Sequence, residues 1–220
     1  MEKKNCSETS PQVHTFSQPE GRPEYYTLQT EEGTTKKTLL LHSCCGPCST
    51  ACIERVLPDW KVTIFYFNPC ITDPEEYERR KAAQIQFLNE YNQGLTEEEH
   101  VDFIEGDYNP ESFFRMVEGY EEEPEGGARC TLCFQQRLEE AARFAQAEGY
   151  FAFGTTLTVS PHKNYPLISA IGNQIAKDCQ VEFLDMDFKK KAGFQRSIEL
   201  SREYGLYRQN YCGCEFSKWE

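Results

Sequence analysis

Short apolar runs alternate along this chain with longer stretches whose apolar positions recur every three or four residues. Thr38 to Leu41 is β-branched and apolar, the composition of a strand buried in a parallel sheet. Four similar runs follow: Lys61 to Phe67, closed by Asn68-Pro69, then His100 to Ile104, Tyr150 to Phe153 and Val181 to Leu184. Between them the helical period takes over. Ser49 to Leu57 predicts a helix stopped at Pro58, with Ser49 or Thr50 as candidate cap. Asp73-Pro74 predicts the next start, Asp as cap and Pro at the first helical position, in a helix running to about Tyr91. Pro110 to Val117 predicts a short helix. Leu138, Ala141, Ala142, Phe144 and Ala145 mark the inner face of a longer one, from Cys130 to near Gly149. Pro166 to Asp178 and Lys191 to Tyr204 complete the set. Strict alternation of strand and helix predicts an α/β fold with a doubly wound, mostly parallel sheet and right-handed crossovers. Residues 1–35, polar with scattered proline and glycine, are expected to form a flexible arm. Residues 36–220 are expected to be a single α/β catalytic domain ending in a Cys-x-Cys tail, Tyr207 to Glu220, without periodicity.

Composition allows a sizeable core, with 39% of the 220 residues hydrophobic. No apolar run approaches the ~18 residues of a membrane span, and Met1 to Thr35 lacks the apolar centre of a signal peptide. A cytoplasmic protein is expected, in a compartment where stable disulfides are rare. The eleven cysteines therefore ask for another explanation. Seven of them fall in three groups: Cys44, Cys45 and Cys48; Cys130 and Cys133; Cys212 and Cys214. Such grouping reads as metal binding or redox chemistry. A formal net charge of −13 argues against nonspecific nucleic-acid binding but leaves room for a local basic patch.

Gly46 and Pro47 end the first strand in a turn, which puts three thiols where open α/β sheets place their ligands. Cys130 and Cys133 share one side of a first helical turn. The helix N-terminus and Arg129 favour thiolate there, the form that binds a soft metal. The other readings are a buried pair or a redox Cys-x-x-Cys. Adjacent cysteines are poor zinc-knuckle geometry, yet Cys44 and Cys45 can reach two irons of one cluster. With Cys130 and Cys133 they make a four-thiol set suited to an iron–sulfur cluster. Cys48 can ligate a second metal, replace one of the vicinal pair, or pack. Cys52 reads as a small buried residue. Cys6, Cys70 and Cys179 are single and are read the same way. A Cys212–Cys214 bridge would close a tiny strained ring, eased by Gly213 and readily reduced. Its alternative is a metal-binding pair on a mobile tail.

Five ordered motifs resemble the QueH type of epoxyqueuosine reductase over about residues 37–217. They are Leu40-Leu41-His42-Ser43-Cys44-Cys45-Gly46-Pro47-Cys48-Ser49; Phe67-Asn68-Pro69 with Tyr77 and Arg80; Arg129-Cys130-Thr131-Leu132-Cys133; Thr155 to Lys163; and Tyr207 to Cys214. The resemblance implies a HUP-type fold related to the nucleotide α-hydrolases. It also implies a [4Fe–4S] cluster on Cys44, Cys45, Cys130 and Cys133 and a redox-active pair on Cys212 and Cys214. Some members hold an additional iron, for which Cys48 is best placed here. The implied reaction removes the epoxide oxygen of epoxyqueuosine at the tRNA wobble position, leaving an alkene, as the last step of queuosine synthesis. The implied partners are that tRNA and an unidentified electron donor, with no membrane and no cobalamin site.

That chemistry consumes two electrons and two protons, which a dithiol can store. The expectation is a substrate ring over the cluster with the tail folding across it. His162 and Lys163 read either as phosphate or proton-donating contacts or as a cap and a solvated charge. Lys189-Lys190-Lys191, Arg196, Arg202 and Arg208 gather positive charge for a tRNA backbone, or line a solvated face. Tyr77, Tyr207 and Tyr211 can stack on a base or pack in the core. Two other function classes stay open. One is an ATP-dependent nucleotide-activating enzyme, disfavoured because Pro47 removes a backbone donor from the would-be phosphate loop. The other is a zinc-binding protein without enzymatic activity.

Overall fold

The thiol loop that follows the first strand lies where the sheet order changes direction. In the computed structural model, which describes residues 36–218, β1 (Lys37–His42) is the centre of a five-stranded sheet. The expected arm, with Cys6, lies outside the described residues. The chain runs through α1 (Gly46–Val56) to β2 (Trp60–Tyr66), and through α2 (Pro74–Asn92) to β3 (Asp102–Glu105). It then passes α3 (Pro110–Met116) and α4 (Ala128–Ala147) and returns to the other side of β1. There β4 (Ala152–Thr155), α5 (Tyr165–Cys179), β5 (Glu182–Phe183) and α6 (Gly193–Glu203) complete the order β3-β2-β1-β4-β5. Every pairing is parallel. The order reverses between β1 and β4, and a crevice opens at such a point beyond the carboxyl ends of the strands. The fold is the expected doubly wound one, and no helix among the described residues is long and apolar enough to cross a membrane.

Alternation along the strands divides the core between two faces. Leu40, Phe65 and Phe153 pack with Phe134, Leu138 and Ala141 of α4 and Ile168 and Ile175 of α5. Leu39, Leu41, Val62 and Ile64 pack on the opposite face with Ile53 and Val56 of α1 and Phe87 and Leu88 of α2. Tyr77 lies in the core with Tyr66, 1% exposed, which removes it from the residues able to stack on a base.

Helix starts follow the expected chemistry with one correction. The Asp73 carboxylate accepts from the Glu75 and Glu76 backbone N–H groups, with Pro74 opening α2. By contrast, α1 begins at Gly46 rather than near Ser49, because Pro47 sits in a first turn whose N–H groups have no intrahelical acceptor anyway. Ser49 and Thr50 bond back to the carbonyls of Gly46 and Pro47 instead of capping. Gly46 is needed for a different reason. A Cβ there would lie 2.5 Å from the Ala83 carbonyl oxygen, so α1 starts in backbone contact with α2. Gly46→Ala is expected to cost about 1–3 kcal/mol by overpacking, read as a lower urea midpoint. An unchanged midpoint would mean the two helices are not locked together at this point.

Candidate functional site

The loop after β1 folds its three thiols together. The sulfurs of Cys44, Cys45 and Cys48 lie within 4.8 Å of one another, the cysteine group among the described residues with metal-ligand proximity. Cys45 precedes the first turn of α1, and Cys48 lies within it. All three thiols are pushed up to about 12. For Cys44 and Cys48 the leading cause is sulfur–sulfur hydrogen bonding within the group, and for Cys45 it is burial. Without a bound cation the group therefore holds its protons, and a metal must displace them to bind. Buried soft donors this close together fit a thiolate-bound metal centre.

Cys130 and Cys133 stand in the first turns of α4, both buried, and are not among the sulfurs gathered within 4.8 Å. The Cys130 sulfur accepts from the Gly126 N–H at 3.2 Å. Cys133 shares a cluster with Cys70, Phe113, Val117 and Cys214. Cys70, read from the sequence as an isolated packing residue, thus stands beside two of the site thiols. Its pKa falls to about 6, chiefly through a hydrogen bond from Cys133 and then through Arg137. Nothing in its sequence context signals this. Cys52 is fully buried in the core, as expected.

Arginine use differs from the sequence reading. Arg129 makes no hydrogen bond to the thiols; its Nη1 donates to the carbonyls of Tyr120, Glu121 and Glu123 and so braces the acidic loop before α4. A buried cation facing several of the sulfurs is Arg137, 2% exposed, whose Nε donates to the Cys133 carbonyl at 3.1 Å. Burial alone would lower its pKa, but the sulfurs of Cys133, Cys70, Cys212 and Cys44 hold it up. The signal was available: Arg137 follows Cys133 by four residues on one helix face.

Arg137, Cys44, Cys48, Lys163 and Cys212 line one cavity of about 350 Å³. Lys163, in the loop before α5, donates to the Cys212 sulfur at 2.7 Å and is 3.8 Å from the Glu125 carboxylate. Burial opposes its charge, and the Cys212 sulfur more than restores it, so its pKa is raised. Cys214 points away from the cavity group into the Cys70–Cys133 cluster, its sulfur 3.6 Å from Ser217 Oγ. The tail is held by Arg80, whose Nη1 and Nη2 donate to the carbonyls of Cys212 and Tyr211. The Gln209 amide donates to the Cys45 sulfur at 2.9 Å.

Several residues expected to meet a phosphate backbone are occupied internally. Lys189 donates to the Lys163 carbonyl, Arg196 to the Glu54 carboxylate, and Arg208 to Ser201 Oγ and the Ser197 carbonyl. The His162 backbone N–H donates to Ser160 Oγ, and the residue is among those lining the cavity.

His42 closes β1 two residues before Cys44 and is fully buried. Nε2 faces the Phe67 carbonyl at 3.1 Å, an acceptor only, so Nε2 carries the proton and Nδ1 accepts from Thr155 Oγ1 at 3.0 Å. Burial, then Arg137, lowers its pKa from 6.5 to about 3. The unfolded chain therefore binds a proton that the native one refuses. This contribution to stability is complete above pH 6.5 and is lost as pH falls toward 3, by about 1.4 kcal/mol per unit. Between about pH 7.5 and 5.5, wild-type protein is expected to lose about 1.4 kcal/mol more unfolding free energy than His42→Gln. Equal losses would show that His42 is protonated in the native state.

Comparison with known proteins adds an independent observation. Residues 39–220 match the family model described as epoxyqueuosine reductase QueH. A Staphylococcus epidermidis protein named epoxyqueuosine reductase QueH is 42% identical over 191 residues, 86% of this chain and 79% of its own length. Relatives of the same name from Streptococcus pyogenes and Thermotoga maritima are 41% and 36% identical. They align with 85% and 83% of this chain and with 72% and 91% of their own lengths.

Proposed function

Because the chain belongs to the epoxyqueuosine reductase QueH family, we propose that it reduces the epoxide of epoxyqueuosine at the tRNA wobble position to the alkene of queuosine. The observation that carries this reading is the shared cavity. Sulfurs from the loop after β1 and Cys212 from the tail, more than 160 residues later in sequence, line the same 350 Å³ space. The balance closes within the protein. Oxidation of the Cys212/Cys214 dithiol releases two electrons and two protons, and the epoxide takes up both pairs to give the alkene and water. Lys163 holds the Cys212 sulfur against the cavity wall, while Arg80 fixes the backbone on either side of it. An external donor then restores the dithiol.

The Cys44, Cys45 and Cys48 group supports a thiolate-bound metal, and an iron–sulfur group is the one this chemistry suits best. Cys44, Cys45, Cys130 and Cys133 would hold a [4Fe–4S] cluster, and Cys48 would contact an additional iron. When bound, such iron supplies one-electron transfer and Lewis acidity toward the epoxide oxygen. Arg137 supplies fixed positive charge between these sulfurs and the cavity. With Lys189, Arg196 and Arg208 engaged internally, Lys190, Lys191 and Arg202 remain for the tRNA backbone. The anticodon loop is then recognised mainly by its splayed bases. The setting is cytoplasmic, where the tRNA is processed.

The test is anaerobic purification with iron and sulfide analysis, followed by turnover on epoxyqueuosine-bearing tRNA. Brown protein that forms queuosine, and a Cys212→Ser/Cys214→Ser variant that keeps its iron but loses multiple turnover, are expected. Colourless, zinc-loaded protein without activity would overturn the reading, and normal turnover by the double variant would remove the tail from the reaction.

A further inference from the structure

The buried polar atoms without partners are not scattered. Among the described residues eight buried side-chain nitrogens or oxygens make no hydrogen bond, and four belong to residues that line the cavity. These are Arg137 Nη2, Thr156 Oγ1, Gln209 Oε1 and Tyr211 Oη. Arg137 and Thr156 are 2% and 0% exposed, so their unpaired atoms face only the cavity and the protein interior. An unpaired buried polar group is costly, and natural proteins keep few of them. Thr156 stands out within its own loop. Thr155 Oγ1 is bonded to His42 and to the Leu157 N–H, and Thr158 Oγ1 to the Met186 carbonyl and the Phe188 N–H. The threonine between them alone faces the cavity wall without a partner.

The chemistry of the four atoms restricts what can satisfy them. Arg137, Thr156 and Tyr211 offer donors, and Gln209 Oε1 asks for one. A phosphate is a poor match. Lys163 and Arg208, the other strong cations of the cavity, are engaged with Cys212 and with Ser201, and a phosphate oxygen would be repelled by the Gln209 carbonyl. A ring bearing several hydroxyl or ether oxygens meets all four demands, since a hydroxyl both donates and accepts. We propose that Arg137, Thr156, Gln209 and Tyr211 form a recognition subsite for a compact, uncharged, hydroxylated ring: the epoxide-bearing carbocycle of the modified nucleoside. Arg137 Nη2 is the donor to the epoxide oxygen. Thr156, Gln209 and Tyr211 determine specificity by pairing with the remaining oxygens. This assignment rests on the epoxyqueuosine reductase reading and adds to it the groups that select the substrate.

The experiment pairs stability with kinetics. Thr156→Val and Tyr211→Phe each delete a hydroxyl and preserve shape. Because that hydroxyl is unpaired in the tRNA-free protein, the thermal midpoint of the anaerobically purified protein is expected to hold or rise by about 2 °C. On epoxyqueuosine-bearing tRNA, kcat/KM is expected to fall at least about tenfold, as it does when a site built to pair with polar groups loses one. Thr158→Val, which removes a hydroxyl already bonded, should do the reverse: a lower midpoint with kcat/KM unchanged. Wild-type kcat/KM in both Thr156→Val and Tyr211→Phe would overturn the subsite, as would lowered midpoints without a kinetic effect. An iron-loaded wild-type protein that leaves the epoxide intact would overturn the functional reading instead.

Discussion

Cys45→Ser is expected to reduce turnover on epoxyqueuosine-bearing tRNA by about 100-fold or more, since residues one layer beyond a metal's ligands already cost about 10–100-fold. Iron per chain should fall with it. Cys45 is the innermost of the three clustered thiols, fully buried and bonded by the Gln209 amide. A serine hydroxyl is a hard, weakly acidic donor and replaces a thiolate poorly on iron. The substitution separates loss of chemistry from loss of fold. Cys45 occupies the cap position of α1 without capping it through its side chain, and serine is among the best residues there. The thermal midpoint of the iron-free protein should therefore match or exceed that of iron-free wild type. Iron content and turnover are the deciding measurements; if both stay normal in Cys45→Ser, the vicinal pair does not hold the metal.

Arg80→Met is expected to be the most destabilising single change in the site, by about 3–5 kcal/mol. The guanidinium is 1% exposed and makes four interactions. Nε pairs with Glu76 at 2.7 Å, Nη1 and Nη2 donate to the Cys212 and Tyr211 carbonyls, and the Tyr211 ring lies 5.1 Å away. Methionine fills similar space but strands the buried Glu76 carboxylate and two carbonyls. Glu76 would keep only the Tyr207 hydroxyl at 2.7 Å. Arg80→Lys retains the charge but cannot fork to two carbonyls, so an intermediate loss is expected. The urea midpoint gives the magnitude, and protease sensitivity of residues 205–218 shows whether the tail is released. A tail still protected in Arg80→Met would mean that other contacts suffice to hold it.

Local patterns carried the sheet, the helices and the sulfur loop. Apolar runs fix strands within two or three residues, and Asp73-Pro74 announces α2 because capping is decided by neighbours. The start of α1 escaped because Gly46-Pro47 suits both a turn and a first helical turn. What joins distant segments was less legible. Lys163 meets Cys212 across 49 positions, and Arg80 meets it across 132. No local pattern encodes either pairing. Arg129 and Arg137 flank Cys133 on the same helix, yet Arg129 reaches the carbonyls of the preceding loop while Arg137 turns back to the Cys133 carbonyl beside the sulfurs. Cys70 looked solitary because its partners arrive from α4 and the tail.

The grip of Arg80 on the tail bears on how reducing equivalents enter. A lipoyl-like swinging arm must detach, travel and return, and each trip would break two buried carbonyl contacts and the Lys163–sulfur contact at once. Openings of that size belong to sub-global unfolding rather than to loop fluctuation. The tail therefore behaves as a fixed terminal post, and under the proposed function a donor would have to come to it. Since Cys214 is buried beside Cys70 while Cys212 borders the cavity, a donor acting on this pair in the proposed cycle would reach it from the side the substrate uses. In the proposed cycle the two visits would then be successive, the order a ping-pong scheme requires.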